Sequence, residues 1–267
     1  MKKLVAAAIA FAAFTGSAMA ADLAPRPYSK APAPVASAPS WTGFYAFGGF
    51  GGGLWAADSN ALSYPSLVAL TRDQRQGGSG WFGTVGVGYD WQFTGSWVVG
   101  LFGDGQFGSI SGSLTDPWNF IEGREKLRDS YAAGARLGYL AAPNVLSYVN
   151  AGYSGSQWSS AGLSNLAAVG AGGAVVSTPS FSRNGWFVGG GVENSLNIFG
   201  IAAPGWFMKT EYRSAYYDRI TLPETLVPGG PLMMLTRDAV TFKPWVQTIS
   251  TSLVYRFNWS GPLVGKY

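Results

Sequence analysis

The sequence predicts an all-β fold, an eight-stranded antiparallel up-and-down transmembrane β-barrel, from three observations. Successive segments alternate apolar and polar residues with a period of two. The connections between these segments alternate in length, as they do in outer-membrane barrels. Only 12% of the residues are charged while 15% are aromatic, whereas soluble domains carry about 25% charged residues. Beyond the first twenty residues no apolar run reaches about 18 residues, so no membrane-spanning helix is predicted.

The N-terminal segment is predicted to direct export. Lys2 and Lys3 precede a short apolar run, and Ala18-Met19-Ala20 is a small-residue cleavage signal. Residues 1–20 are therefore predicted to be a secretory signal peptide. Residues 21–40 are rich in proline and alanine, which predicts an extended periplasmic linker.

The barrel is predicted over residues 41–259, with a periplasmic tail at 260–267. In the clearest strand, one face carries Trp81, Val85, Val87, Tyr89, Trp91 and Phe93 while small and polar residues occupy the other. In the glycine-rich first strand we expect Phe44 and Phe50 to point outward. The pattern leaves open which face of that strand, and of the strand Val145–Tyr153, points to lipid.

The lengths of the connections predict the orientation of the barrel. Short turns are predicted at 94–96 and 141–144, and aromatic residues bracket them, as they do at membrane interfaces. Both termini are then periplasmic. Four long extracellular loops are predicted at about 56–80, 109–126, 155–184 and 218–244. A soluble β-sandwich with an aromatic core is the alternative, but sandwiches rarely alternate long and short connections so regularly.

The amino-acid composition limits the possible chemistry. The chain has no cysteine and no histidine, which excludes disulfides, thiolate or imidazole metal sites, and Ser-His or Cys-His nucleophiles. We therefore predict neither a cofactor nor enzymatic activity. The net charge of +4 includes two lysines of the signal peptide, and it is too small to predict nucleic-acid binding.

Eight charged residues are predicted to form an ion network in the lumen. An eight-stranded barrel is just wide enough for side chains to fill it. Unpaired charges there would cost roughly several kcal/mol each, so we expect the charges to pair as a plug. The alternative is an ion-selective constriction, and thus a small-solute porin with a narrow or gated pore. The four acids and four bases are Asp90, Asp104, Arg136, Glu193, Lys209, Glu211, Arg213 and Arg256.

A second group of basic residues is predicted at the extracellular rim. Arginine and lysine there suit the phosphates of lipopolysaccharide, which arginine can bind in a bidentate manner. Scattered solubilising charge is an equally good interpretation. A host or surface ligand at the loops is also left open. The rim residues are Arg72, Arg75, Arg124, Lys126, Arg128, Arg183, Arg219, Arg237 and Lys243.

Several segments carry a family resemblance. They are WTGFY from Trp41, WFGTVGVGYDWQF from Trp81, GWFVGGGVENSL from Gly185, KTEY from Lys209, and LVYRFNWSGPLVGKY at the C-terminus. Together they resemble the alphaproteobacterial outer-membrane immunogenic proteins, a RopB-type porin family related to the barrel of OmpA.

The resemblance implies an eight-stranded barrel in the outer membrane of a Gram-negative bacterium, with a structural and antigenic role and no catalytic residues. Leu253–Phe257 resembles the signal read by the barrel-assembly machinery, although about ten residues follow it here. The predicted function is therefore structural support of the envelope and surface interaction without catalysis, with a small-solute porin as the alternative.

Overall fold

The computed structural model describes residues 40–165, 173–198, 201–228 and 238–257. The predicted signal peptide and tail, and all of the predicted linker except Ser40, lie outside these ranges. Among the described residues, no helix is long and apolar enough to cross a bilayer. The strands are β1 Gly43–Ser59, β2 Ala61–Ser63, β3 Gln74–Thr94, β4 Trp97–Asp116, β5 Ile121–Ala142, β6 Val145–Trp158, β7 Ala161–Asn165, β8 Val176–Thr178, β9 Phe181–Ile198, β10 Ile201–Tyr217, β11 Ile220–Pro223, β12 Thr225–Leu226 and β13 Asp238–Arg256.

Eight long strands pair in an antiparallel ring in the order β1, β3, β4, β5, β6, β9, β10 and β13. The last pairing joins β13 to β1, in a register that runs from Tyr45 opposite Arg256 to Asp58 opposite Lys243. Every long strand therefore has two hydrogen-bonded neighbours, as lipid requires of a spanning sheet. The predicted antiparallel fold with eight strands in the ring is confirmed.

Glycines allow the first and last strands to approach closely. A Cβ atom on Gly49 would lie 2.2 Å from the carbonyl oxygen of Thr251 and 2.5 Å from the Cα of Ser252. One on Gly51 would lie 2.2 Å from the carbonyl oxygen of Ile249. Backbone atoms cannot move aside as a flexible side chain can, so the tight curvature of this seam depends on glycine.

The outer surface of the ring carries an apolar band between two aromatic girdles. Phe44 and Phe50 point outward, with 63% and 70% of their surface exposed, which agrees with the expected orientation of β1. Ten residues of tilted strand separate Trp91 from Trp81, so the band is about 25 Å tall. The lower girdle is Phe44, Trp91, Phe93, Trp97, Tyr139, Trp206, Tyr255 and Phe257, and the upper girdle is Trp81, Phe107, Tyr131, Tyr153, Trp186 and Tyr216.

Above the upper girdle the two faces of the sheet exchange their polarity. In β4, Ile110 and Leu114 are buried inside the ring, while Ser109 and Ser113 are exposed outside it. A register shift next to Ile110 marks the change. The barrel thus continues beyond the apolar band with an apolar interior and a polar exterior, like a soluble β-structure.

This continuation corrects the predicted loop boundaries. Of the predicted loop 109–126, only residues 117–120 lie outside strands. The strands β1, β3, β6 and β9 also extend several residues into the predicted loops. Short strands occupy part of what remains: β2 and β11 pair with β13, β7 pairs with β5, and β8 lies between β7 and β12.

Candidate functional site: the filled lumen

The lower ion layer consists of Asp90, Arg136, Glu193 and Arg256. These side chains come from four different strands and are at most 4% exposed. Arg136 Nε donates to Asp90 Oδ1 at 2.8 Å, and Nη1 donates to Glu193 Oε2 at 3.2 Å. Arg256 Nη2 lies 2.8 Å from Asp90 Oδ2 and 2.7 Å from Glu193 Oε1. Each arginine therefore contacts both carboxylates, and the layer has no net charge.

Aromatic rings enclose this layer. The Arg136 guanidinium lies 4.4 Å from the ring centroid of Tyr45 and 5.1 Å from that of Tyr148. The Arg256 guanidinium lies 4.4 Å from the Trp41 ring, and its Nη1 donates to the Trp41 carbonyl oxygen at 3.3 Å. Cation–π contacts of this kind strengthen when water is excluded. They support the two arginines on faces that the carboxylates do not reach.

The upper ion layer consists of Asp104, Lys209, Glu211 and Arg213, with Tyr148 as a neutral member. Arg213 binds Asp104 through two parallel hydrogen bonds of 2.9 and 2.6 Å and donates to Glu211 Oε1 at 2.8 Å. Tyr148 donates its hydroxyl to Glu211 Oε2 at 2.8 Å, and Lys209 Nζ lies 3.6 Å from the same oxygen. Lys209 Nζ also lies 3.3 Å from the centroid of the Phe47 ring. This layer is also neutral.

An aromatic cap closes the ring above the ion layers. It is formed by Trp55, Trp158, Phe181 and Phe242, whose side chains are at most 9% exposed. The Trp158 ring lies 5.1 Å from Phe242, 5.7 Å from Trp55 and 5.8 Å from Phe181. Trp55 Nε1 donates to the Ile110 carbonyl oxygen at 3.2 Å, so its polar atom is satisfied. The cap packs as a small protein core does, with Trp158 stacked on Phe181 and the other ring pairs edge to face.

The structure places all eight predicted lumen residues inside the ring and brings them into these two layers. Tyr148 was not predicted, because the alternation in β6 leaves the orientation of that strand open. The aromatic cap was not predicted either, because its members lie in segments predicted to be loops or loop borders. The cap could have been found from a second alternation, in which the inward residues are apolar and the outward residues are polar. Leu114, which lies between two outward polar residues, is an example.

The predicted rim residues do not form one surface. Arg72, Arg75, Arg124, Arg128 and Lys243 are exposed, Lys126 is half-buried, and Arg237 lies outside the described residues. Arg219 is held by Asp73 at 3.1 Å. Arg183 was predicted to lie at the rim, but it shares the inward face of β9 with Phe181 and Phe187. It is half-buried, and its Nε has no hydrogen-bond partner among the described residues.

Buried carboxyls lie above the apolar band. Burial raises the pKa of the Glu125 carboxyl to about 8. The hydrogen bond that this carboxyl accepts from the Lys126 backbone amide has a weaker, opposite effect on its pKa. Burial also raises the pKa of Glu224 to about 8, and the neighbouring carboxylates Asp116 and Asp238 add to that effect. Asn119 donates to both Asp116 and Asp238, at 2.7 and 3.0 Å. The interior of the ring above the apolar band thus contains two acids, Glu125 and Glu224, whose raised pKa values favour the neutral form.

A closed antiparallel ring with an apolar exterior band, aromatic girdles and a polar lumen defines an integral β-barrel of the outer membrane. Consistent with this geometry, the family model described as "Outer membrane protein beta-barrel domain" matches residues 6–257. The chain belongs to this family. It is therefore an outer-membrane protein of the Gram-negative envelope.

Two curated relatives share most of their length with this chain. The 31 kDa outer-membrane immunogenic proteins of Brucella melitensis and Brucella suis are each 29% identical to it over 218 residues, which cover 79% of this chain and 85% of each relative. Among solved structures, OprG of Pseudomonas aeruginosa is 10% identical, with a TM-score of 0.46 and coverage of 80% of this chain and 97% of its own. The predicted resemblance to the immunogenic outer-membrane proteins is thus confirmed.

Proposed function

We propose that this chain is a structural, non-catalytic barrel that supports the envelope and exposes an interaction surface. The observation that carries the proposal is the filled lumen: two neutral ion layers lie beneath an aromatic cap. An eight-stranded barrel has an interior only wide enough for side chains. Paired charges that span the lumen brace opposite walls, so they contribute rigidity to the barrel while leaving no wide path.

The lumen charges are poorly placed for catalysis or for steady conduction. A general acid or base must come within hydrogen-bond reach of its substrate. Asp104 and Glu211 are at most 8% exposed and are occupied by Arg213. A porin would instead need these pairs to separate, and breaking a buried pair costs roughly 3–5 kcal/mol. This favours the structural role over the small-solute porin.

We propose that both termini face the periplasm and that the strand extensions face the outside. The proposal rests on the short connections at one end of the ring and on the exposed apolar side chains in the connections at the other end. Tyr64, Leu67 and Val68 in one connection and Trp118 and Phe120 in another are 43–69% exposed. Such apolar surface suggests contact with a host or surface ligand, and the Brucella relatives are named as immunogenic.

The orientation can be tested with single thiols, because the natural sequence has no cysteine. Asn144→Cys lies at a short turn, and Ser66→Cys lies at the opposite end, and both positions are exposed. A membrane-impermeant maleimide should label Ser66→Cys in intact cells, and Asn144→Cys only after the outer membrane is permeabilised. The reverse pattern would overturn the orientation.

The proposed role can be tested in the native bacterium. Deletion of the gene should increase sensitivity to detergents and to EDTA, and the wild-type barrel should restore resistance. A variant in which the five exposed apolar residues of the connections are replaced by serine should still restore resistance, because its lumen and apolar band are intact. These residues are Tyr64, Leu67, Val68, Trp118 and Phe120. A deletion strain with unchanged sensitivity would contradict a structural role.

We also propose two partners from the sequence. The outer leaflet supplies lipopolysaccharide phosphates within reach of the exposed arginines and lysines, such as Arg124 and Lys243. The barrel-assembly machinery would act on β13, whose closing residues alternate in the manner of a targeting signal. Competition of a β13 peptide with assembly of the full chain in vitro would test the second partner, and an unaffected rate would count against it.

A further inference from the structure

The outer face of the barrel carries a groove at the upper edge of the apolar band. It crosses β3, β1, β13 and β10 and has a volume of about 510 Å³. Its floor is formed by Gly52 and Gly80, and its walls by Trp81, Leu54, Tyr212 and Ile249. This volume lies within the range of sites that bind small apolar ligands, about 300–1,000 Å³. The groove faces lipid, so an occupant must come from the membrane.

One polar group in the wall of the groove is already paired. The Tyr212 hydroxyl donates to Gln247 Oε1 at 2.6 Å, which satisfies it within the protein. Trp81 and Ile249 are 75% and 57% exposed, so their apolar surface is available. A flexible hydrocarbon chain fits such a surface because it can fill an irregular gap where a rigid neighbouring barrel could not.

Two cations lie above the groove on the same strands. Arg75 of β3 and Lys243 of β13 lie opposite Asp58 of β1, and all three point outward. The Arg75 guanidinium lies 5.6 Å from the Trp245 ring, which keeps it against the barrel wall. Within the ranges that the structure describes, neither cation forms an ion pair.

The groove and these cations are connected along β1 and β3, where the outward positions between them are the small residues Ala56, Gly77 and Ser79. On β13 the outward positions at this level are Trp245 and Gln247, so the path runs beside the Trp245 ring. Gly52 and Asp58 are six residues apart, a distance of about 20 Å along the strand. An extended acyl chain with an attached phosphate spans a distance of this kind. Asp58 is unfavourable for an anion here, and the two cations outweigh it.

We propose that this groove and its two cations form a binding site for one phosphorylated, acylated lipid of the outer leaflet. An acyl chain occupies the groove beside Trp81, and a phosphate contacts Arg75 and Lys243. The inference rests on the proposed orientation, which places this end of the apolar band in the outer leaflet. It goes beyond the rim hypothesis because it selects two of the nine basic residues and adds the hydrocarbon site.

Gly52 offers a substitution that fills the groove without disturbing the strand. A Cβ on Gly52 would lie 3.8 Å from Trp81 and 4.0 Å from the backbone of Gly80, which are ordinary contacts. Gly48, on the same outward face of β1, gives a matched control, because a Cβ there would lie 3.9 Å from Val85. Gly52→Leu should therefore block the groove, whereas Gly48→Leu adds the same side chain outside it.

The test is a titration of the delipidated barrel in detergent with diphosphorylated lipid A, monitored by native mass spectrometry. Dephosphorylated lipid A and phosphatidylcholine serve as comparison probes. Wild type and Gly48→Leu should bind diphosphorylated lipid A at least about tenfold more tightly than Gly52→Leu, a difference that corresponds to one unit in log Kd. The double variant Arg75→Gln/Lys243→Gln should weaken binding of diphosphorylated lipid A and leave binding of the two comparison probes unchanged. Asp58→Asn should strengthen binding of diphosphorylated lipid A.

Four outcomes would overturn the inference. The first two are equal lipid affinity of Gly52→Leu and wild type, and equal losses of lipid affinity in Gly52→Leu and Gly48→Leu. The third is that the Arg75→Gln/Lys243→Gln variant and an Arg124→Gln/Lys126→Gln variant bind the diphosphorylated lipid equally well. The fourth is a dimer that Gly52→Leu abolishes. The last would identify a second copy of the chain as the occupant. Heat-modifiable gel mobility confirms that each variant is folded. The thiol-labelling and deletion tests stand apart, so the lipid site can fail while the proposed function holds.

Discussion

Arg256 lies directly opposite Tyr45 across the seam between the last and the first strand, and its guanidinium carbon lies 5.0 Å from the centroid of the Tyr45 ring. The same guanidinium contacts Asp90 of β3 and Glu193 of β9. One residue at the end of β13 thus connects the seam to strands that lie two places away on either side of it. Closure of the sheet and filling of the lumen therefore depend on each other.

Replacing Arg256 with glutamine should destabilise the barrel strongly. Asp90 and Glu193 would then share only Arg136, and an incompletely paired buried charge costs roughly 3–5 kcal/mol. The unfolding free energy can be measured from tryptophan fluorescence in urea with detergent-solubilised protein. Arg128→Gln is the control, because that side chain is exposed and lies 3.8 Å from its partner Asp129, and it should change little. Equal effects of the two substitutions would contradict a stabilising lower ion layer.

Adjacent glycines in β1 should respond differently to alanine. Gly49→Ala would place a methyl group 2.2 Å from the Thr251 carbonyl oxygen, so the seam would have to widen. Gly48→Ala meets nothing closer than 3.9 Å. The fraction of protein with heat-modifiable gel mobility after refolding should drop for Gly49→Ala alone. If both variants refold equally well, the close approach of β1 and β13 is wrong.

Removing the central ring of the aromatic cap should loosen the outer part of the barrel. Trp158→Ala deletes a side chain in contact with three other rings, and comparable core truncations cost about 3–5 kcal/mol. Trp118→Ala removes a ring that is 49% exposed and should cost far less. Protease added to intact cells should cleave Trp158→Ala faster than Trp118→Ala. Indistinguishable cleavage would argue against a packed cap.

Glu125 should make stability depend on pH. Burial raises its pKa to about 8 in the folded barrel, from an ordinary value of 4.5. Between these values the folded state binds the extra proton, so stability falls as the pH rises from about 4.5 to about 8. Glu125→Gln should flatten this dependence and raise the urea midpoint at pH 8.5 relative to wild type. Glu122→Gln, on the outward face of the same strand, is the control and should leave the slope unchanged.

The sequence was sufficient for the membrane-spanning part of the fold because lipid imposes a strict rule there. Outward positions there are predominantly apolar, so Val85, Val87 and Trp91 identify the face, and the opposing Asp90 must point inward. Charges in a lumen of this width must pair, which is why residues as far apart in sequence as Asp104 and Arg213 were predicted to belong to one network. The particular partners depend on barrel shear, which alternation alone does not specify.

The part above the membrane was harder to predict because water removes that rule. There Arg124 and Lys126 point outward while Glu125 and Leu127 point inward, so polar residues appear on both faces of the strand and resemble a loop. Arg183 was assigned to the rim for the same reason. The orientation of β6 was ambiguous because small residues such as Ala151 and Gly152 occupy both of its faces. The lipid groove depends on neighbours from four strands, and no single segment reveals it.

A closed lumen should block the flow of ions, and steady conductance in planar bilayers measures that flow. Purified protein whose heat-modifiable gel mobility shows that it is folded should be inserted at a known density, with a large-pore barrel as the insertion control. The wild-type protein should carry little or no steady current. Large, stable, ohmic channels from the same folded sample would contradict it and would favour a porin.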